Sequence, residues 1–279
     1  MHSPAVSAWL LTWIRDVFGQ ATSSARIKTF FARSSSQTFT RNFSLKMVEA
    51  KKEAAPALQP LDPIQEALLN EVCILVDEND QKTGSATKKE CHLLKNGQSL
   101  LHRAFSVFIF NDKGELLLQQ RADSKITFPD TFTNTCCSHP LAVDSELDEN
   151  SAVGVRRAAR RKLQQELGIL PEQVPLEELQ YITRIHYRAP SDEIWGEHEI
   201  DYILFMQKNV DLVLNPNEVK SVRYVSQDDL RRMIEDDRNG NLKLTPWFRL
   251  ICKSQLFQWW NNLNNLKKFE DYTSIHRFY

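Results

Sequence analysis

The sequence predicts an α/β fold built on a mixed sheet with helices packed against it. Three observations carry that prediction. Apolar runs of strand length recur along the chain, two of them are joined by a four-residue turn, and amphipathic helical stretches lie between the others. Hairpin-linked strands are antiparallel, which disfavours a purely parallel, doubly wound sheet.

Taken in order, VCILVD at 72–77 reads as a strand, closed by the turn residues ENDQKTG. AFSVFIF (104–110), the turn NDKG and ELLLQQR (115–121) form a hairpin. SAVGVRRAARRKLQQELG (151–168) is a helix. Val155, Ala159 and Leu163 make its i, i+4 apolar stripe with Ala152 on the same side, and Gly168 is its stop signal. YITRIHYR (181–188) and EHEIDYILF (197–205) alternate as strands do. SQDDLRRMIEDD (226–237) opens with a capping box from Ser226 to Asp229, and Trp247–Phe269 reads as helical throughout.

The 279 residues suffice for one large domain or two small ones. A net charge of −1 gives no reason to expect nucleic acid or an anionic membrane as partner, and no apolar run approaches the roughly 18–20 residues of a membrane helix. Composition shifts near the start. Residues 1–46 hold Arg15, Arg26, Lys28, Arg33, Arg41 and Lys46 against the single acid Asp16, with abundant serine and threonine, the profile of a mitochondrial leader. RNFS at 41–44 resembles a matrix-peptidase site, and Met47 offers a second start that would yield a cytoplasmic form. Residues 47–63 read as linker and 64–279 as the folded domain. The terminal HRFY is no SKL-type peroxisomal signal.

Chemistry concentrates in a few places. NTCCSHPL (134–141) puts Cys136 beside Cys137, too close for an unstrained bridge, since neighbouring Cα atoms are about 3.8 Å apart. The chain's five cysteines are scattered and odd in number, which argues for a reducing compartment and leaves thiol chemistry, metal ligation or packing. Glu166 falls in the middle of its helix's apolar stripe, where a carboxylate must be ion-paired or hold a cation. Glu197 and Glu199 share one face of a strand, either a solvated face or a site; their place between Trp195 and YILF favours the site. His92, His102 and His139 lack zinc-finger spacing and singly read as structural. Together with the two carboxylates they could make a nitrogen and oxygen site for a divalent ion. Lys88, Lys89, Arg121 and Lys125 are cations that a phosphate-bearing ligand near such an ion would need.

NTCCSHPL, TRIHYRA (183–189), WGEHEIDY (195–202) and TPWF (245–248), in that order, resemble the type I isopentenyl-diphosphate delta-isomerases from about residue 66 to the end. The resemblance implies a Nudix-like mixed β-sheet packed between helices, a single catalytic domain, and interconversion of isopentenyl and dimethylallyl diphosphate; a monomer is the expected state, which the sequence itself does not specify. It implies one divalent metal (Mg, Mn or Zn) on His92, His102, His139, Glu197 and Glu199, with Cys137 as catalytic thiol and Glu199, assisted by Tyr187, as its acid–base partner. Lys88, Arg121, Lys125 and Ser138 would hold the diphosphate, Glu166 a magnesium bound with it, and Trp247 would cover the hydrocarbon; Cys136 is left to packing. The reaction protonates C4 and deprotonates C2 through a tertiary cation, so two proton-transfer groups are needed on opposite faces of the skeleton. The expectation is that Glu199 acts at C4 and Cys137 at C2.

The rival is a Nudix hydrolase of a small diphosphate. The hydrolase box ends R-E-U-x-E-E-x-G-U (U, bulky aliphatic), whereas residues 161–169 read RKLQQELGI. Lys162 and Gln165 replace two acids, and Val153 stands where an upstream glutamate would be. Without those acids magnesium is gathered less well and cleavage is disfavoured. One departure is Asp130, where the family carries glycine, an exchange expected to disturb a turn.

Overall fold

Strand β3 (His102–Phe110) is buried at all nine positions and organises the molecule. The computed structural model describes residues 61–278, so the expected leader, Met47 and most of the linker lie outside the described residues. The described residues belong to one compact unit, Leu58–Tyr279. In chain order they form α1 (Pro63–Leu68), β1 (Val72–Val76), β2 (Lys82–Thr87), α2 (Lys88–His92), β3, β4 (Leu116–Arg121), β5 (Phe132–Thr133) and β6 (Cys136–Ser138). Then come α3 (Val153–Leu167), β7 (Gln180–Pro190), β8 (Gly196–Gln207), β9 (Val219–Val225), α4 (Gln227–Arg238), α5 (Pro246–Ser254), α6 (Leu256–Trp260) and β10 (Ile275–Phe278).

The ten strands make one mixed sheet in the order β10-β7-β8-β3-β1-β2, with β4, β5, β6 and β9 branching from it. β3 runs parallel to β8 from His102↔Glu199 to Phe110↔Gln207, and β7 runs antiparallel to β8. The other edge of β3 is shared. β1 meets it at Leu75↔His102, β6 pairs with Phe105, Ser106 and Val107, and β4 touches only at Phe110↔Leu116. The expected hairpin therefore closes at its tip alone. β4 departs to pair with β9, and β6, carrying the two adjacent cysteines, takes its place beside β3.

Each sheet face has its own core. Val107, Ile109 and Leu204 pack with Val155, Leu163 and Leu167 of α3 on one side. Phe108, Ile203 and Phe205 pack with Phe248, Trp259 and Trp260 of α5 and α6 on the other. Each such side chain stabilises by roughly 1.5–3 kcal/mol on burial, so the sheet is held between helices, as the sequence predicts. α3 ends as expected: Gly168 is left-handed (φ 67°), and a Cβ there would lie 2.5 Å from the Val213 carbonyl oxygen.

Two expectations need correction. Residues 82–84 of the supposed turn open β2, because the reversal is completed within 77–81, where the Asp77 carboxylate accepts from the N–H groups of Asn79 and Gln81. The continuous helix over 247–269 is broken. Gln255 leaves helical geometry (φ −138°), and Leu263–Phe269 is a 3₁₀ segment kinked at Asn265. Asparagine-rich sequence (Asn261, Asn262, Asn264, Asn265) competes with helical hydrogen bonding.

Candidate active site

Pleating separates the two cysteines. In β6, Cys137 pairs with Ser106 and Cys136 with Val107, and successive residues of a strand point to opposite faces. Cys136 is fully buried beneath α3, its Sγ 3.6 Å from Glu166 Oε2. Cys137 is half-buried and lines a cavity of about 630 Å³, measured with its mouth.

The same logic brings the carboxylates there. Glu197, Glu199 and Asp201 lie on one face of β8, and Tyr187 of β7 is paired directly with Glu199. The Tyr187 hydroxyl donates to Glu199 Oε2 at 2.5 Å. Next to them stands the histidine cluster. The rings of His92, His102 and His139 form a triangle with centroids 4.8–4.9 Å apart, and their ligating atoms and those of Glu197 and Glu199 all lie within 4.8 Å of one another, every residue buried.

The donor set fits a divalent cation. His92 Nδ1 and His102 Nδ1 donate to the carbonyl oxygens of Lys88 (2.7 Å) and Leu100 (2.8 Å), which leaves each Nε2 lone pair directed into the cluster. His92 Nε2 sits 2.8 Å from Glu197 Oε2 and His102 Nε2 3.5 Å from Glu199 Oε1, yet neither Glu197 Oε2 nor His102 Nε2 makes a hydrogen bond. His139 Nε2 is hydrogen-bonded to Glu199 Oε1 (2.8 Å), and the two remaining buried atoms, crowded against the cluster without a hydrogen bond, are what a shared cation would satisfy.

The electrostatics agree. Burial would lower the His102 pKa, but the nearby Glu199 carboxylate raises it to about 9. Burial and the neighbouring His102 and His92 press His139 well below its ordinary value. Glu199, which burial would raise, is held down by His102 and Tyr187. The cluster thus demands positive charge, as a metal would supply. Burial pushes the Cys137 thiol up to about 12 against the pull of Arg121, and it holds the Tyr187 phenol and the Asp201 carboxyl well above their usual ranges.

At the other end of the cavity the lining is cationic: Lys88, Arg121 and Lys125, with Ser138 on the wall. The loop after β4 wraps the Arg121 guanidinium, whose Nε and Nη2 donate to the carbonyl oxygens of Phe128 (3.0 Å) and Thr127 (2.8 Å), leaving Nη1 3.8 Å from Cys137 Sγ. Trp247, at the start of α5, is pinned by its indole N–H to Asn134 Oδ1 (3.1 Å) and sits 5.9 Å from the Tyr187 ring. The cavity lining includes Cys137, Glu199, Tyr187, Trp247, His92, His139 and Glu197 together with the four diphosphate candidates; His102 and Glu166 are outside it. Glu166 lies behind β6, with Oε1 3.1 Å from Lys162 Nζ and Oε2 accepting from Gln119 Nε2 (3.2 Å). Its ion-paired reading describes the geometry.

Sequence reasoning missed Gln65 and Leu68 of α1, Leu69 at its C-terminal cap, and Ser106 and Thr127, all of which line the cavity. The signals were present. Asp62 caps α1 with Pro63 at its first turn, and Ser106 is the polar residue inside the apolar run AFSVFIF.

The NUDIX domain pattern matches residues 100–248. Isopentenyl-diphosphate Delta-isomerase 1 of Bos taurus is 60% identical over 218 residues, covering 78% of this chain and 96% of the relative; its Mus musculus counterpart is 58% identical over the same shares. An isopentenyl-diphosphate delta-isomerase of Gibberella zeae is 52% identical over 246 residues, covering 86% of this chain and 96% of the relative.

Proposed function

The chain belongs to the isopentenyl-diphosphate delta-isomerase family and carries its NUDIX domain, and from that premise we propose how its residues interconvert isopentenyl and dimethylallyl diphosphate. One observation carries the reading: a thiol, a tyrosine-bonded carboxylate, an indole and a cluster of cations all line one cavity. The diphosphate lies at the end of Lys88, Arg121, Lys125 and Ser138, and its binding energy holds the small alkene in register. The five-carbon skeleton extends between Cys137 and Glu199 under Trp247. With the single proton of the pair on Glu199 and Cys137 as thiolate, the Glu199 carboxyl group, held by Tyr187, delivers that proton to C4 and the Cys137 thiolate takes one from C2, leaving a carboxylate and a thiol. The indole face stabilises the cationic intermediate and keeps water away.

His92, His102, His139, Glu197 and Glu199 would hold one divalent ion, which supplies fixed positive charge beside Glu199. Three imidazoles suit zinc, whereas the two carboxylates are ligands that magnesium and manganese also accept. Glu166, given its Lys162 partner, could join a magnesium on the diphosphate only by exchanging that ammonium. We assign residues 1–46 to a mitochondrial leader and the catalytic unit to a monomer; tagged full-length and Met47-start forms, imaged separately, test the leader, and light scattering the monomer. No described helix is long and apolar enough to cross a membrane.

The decisive experiment is turnover of isopentenyl diphosphate in deuterated water. Deuterium in dimethylallyl diphosphate without phosphate release is expected. Release of phosphate or pyrophosphate would replace this reading with the hydrolase one.

A further inference from the structure

Lys125 reaches the cavity from a loop, and its ammonium does not stand alone. Lys125 Nζ is bonded to Glu218 Oε2, and Glu218 is almost wholly buried at the head of β9. Behind it, Lys162 Nζ lies 3.9 Å from Glu218 Oε1 and 3.1 Å from Glu166 Oε1. The four charges alternate, positive, negative, positive, negative, from the cavity wall into α3, and the positive end faces the cavity. Two further contacts fix the loop to the same turn: Ala122 N–H donates to the Glu218 carbonyl oxygen (3.0 Å) and the Ser124 hydroxyl to that of Asn217 (2.8 Å).

We propose that Glu218 is a positioning residue for substrate binding: it anchors Lys125 Nζ at the diphosphate end of the cavity, with Lys162 as the counter-charge behind it. A carboxylate touching a phosphate-binding lysine would ordinarily weaken its attraction for an anion. Lys162 offsets that loss by neutralising Glu218 from the far side. Burial lowers the Lys125 pKa, and the charge of Glu218 is the strongest influence opposing it. Lys162 stands where the hydrolase box has an acid, so an ammonium group sits between two carboxylates in a place where a hydrolase gathers metal. This inference rests on the reading of Lys125 as a diphosphate ligand.

The test compares Glu218→Gln, Glu218→Asp, Lys125→Met and the double variant Glu218→Gln/Lys125→Met, following kcat and KM for isopentenyl diphosphate and the inhibition constant of inorganic diphosphate. Glu218→Gln is expected to raise KM and the inhibition constant together by about 10- to 100-fold and to leave kcat within about threefold, because only uniform binding is lost. The double variant should be no worse than Lys125→Met alone. Glu218→Asp keeps the charge but shortens the reach; it guards against a folding defect in the glutamine variant and should give an intermediate KM with an unchanged melting temperature. A wild-type KM and inhibition constant in Glu218→Asp, or additive effects in the double variant, would overturn the proposal while leaving Lys125 in place. Unchanged constants in Lys125→Met would overturn both it and the reading it rests on.

Discussion

At the scale of the residue, alternation along a strand decides what each side chain can do. Cys136 and Cys137 differ by one position and face a sealed core and a cavity respectively. Replacing Cys137 with alanine is expected to lower turnover by about 10²- to 10⁴-fold, the worth of a proton-transfer group, with a nearly unchanged melting temperature. Near-normal rates in product-formation assays would remove the thiol from the chemistry. Tyr187→Phe deletes the 2.5 Å bond to Glu199 and leaves a buried carboxylate oxygen without its donor. A fall in kcat of about 10- to 100-fold is expected, set by a lost interaction of about 1.5–3 kcal/mol; an unchanged kcat would free Glu199 from the tyrosine. The shared face of Glu197 and Glu199 was legible, since it needs only strand periodicity. The partnership of Tyr187 with Glu199 came from the family resemblance alone, because periodicity does not give the register of β7 on β8. Asp130 tells the opposite story. The expected disturbance is absorbed: the residue takes a left-handed φ of 57°, which aspartate tolerates, and its carboxylate accepts from Lys220 Nζ at 2.6 Å.

At the scale of the element, helices and strands contribute whole ligand sets. α2 contributes His92, β3 His102, the stretch after β6 His139, and β8 both glutamates. No single segment holds enough donors, so the sequence offered candidates and only the packing of four segments joined them. Stripping metal with a chelator should abolish turnover and lower stability by about 2.7 kcal/mol relative to protein with the ion at a hundred times its Kd. His92→Ala should lose that ion-dependent increment, read by calorimetry with and without zinc or manganese; an increment that survives would place the ion elsewhere. α3 shows a different limit. The apolar stripe and the Gly168 stop were readable, and so was the need of Glu166 for a positive partner. That partner, Lys162, lies only four residues earlier. Lys162→Met would leave Glu166 and Glu218 as buried, under-compensated carboxylates. A loss of about 3–5 kcal/mol in urea unfolding is expected, and a loss below about 1 kcal/mol would mean that neither depends on the ammonium. The region 247–269 was read as one helix; the break at Gln255 turns α6 onto the Phe110 and Phe205 face of the sheet.

At the scale of the whole molecule, local pattern predicted a mixed sheet between helices, but the branching of that sheet depends on pairings far apart in sequence. β9 and β10 escaped notice for this reason. VKSVRYV is a mixed polar run that becomes a strand only against β4, and IHRF only against β7. The same long-range closure produces the Lys125–Glu218 pair, 93 residues apart, and makes acid stability a global property. Lys125 and Lys162 hold the Glu218 carboxyl down to about 2, below its ordinary 4.5, although burial opposes them. A carboxylate with a depressed folded-state pKa contributes stability above its unfolded value and loses it as the pH falls through the folded one. The contribution of Glu218 is therefore complete above about pH 4.5 and fades between there and pH 2, a difference of order 3 kcal/mol at 1.36 kcal/mol per unit. Urea midpoints of the wild type should fall across that window more steeply than those of Glu218→Gln, which has no proton to gain at this position. Parallel curves would show that the carboxyl titrates alike in folded and unfolded chains, and that the buried charge chain joining β9, α3 and the cavity loop adds nothing to the cohesion of the fold.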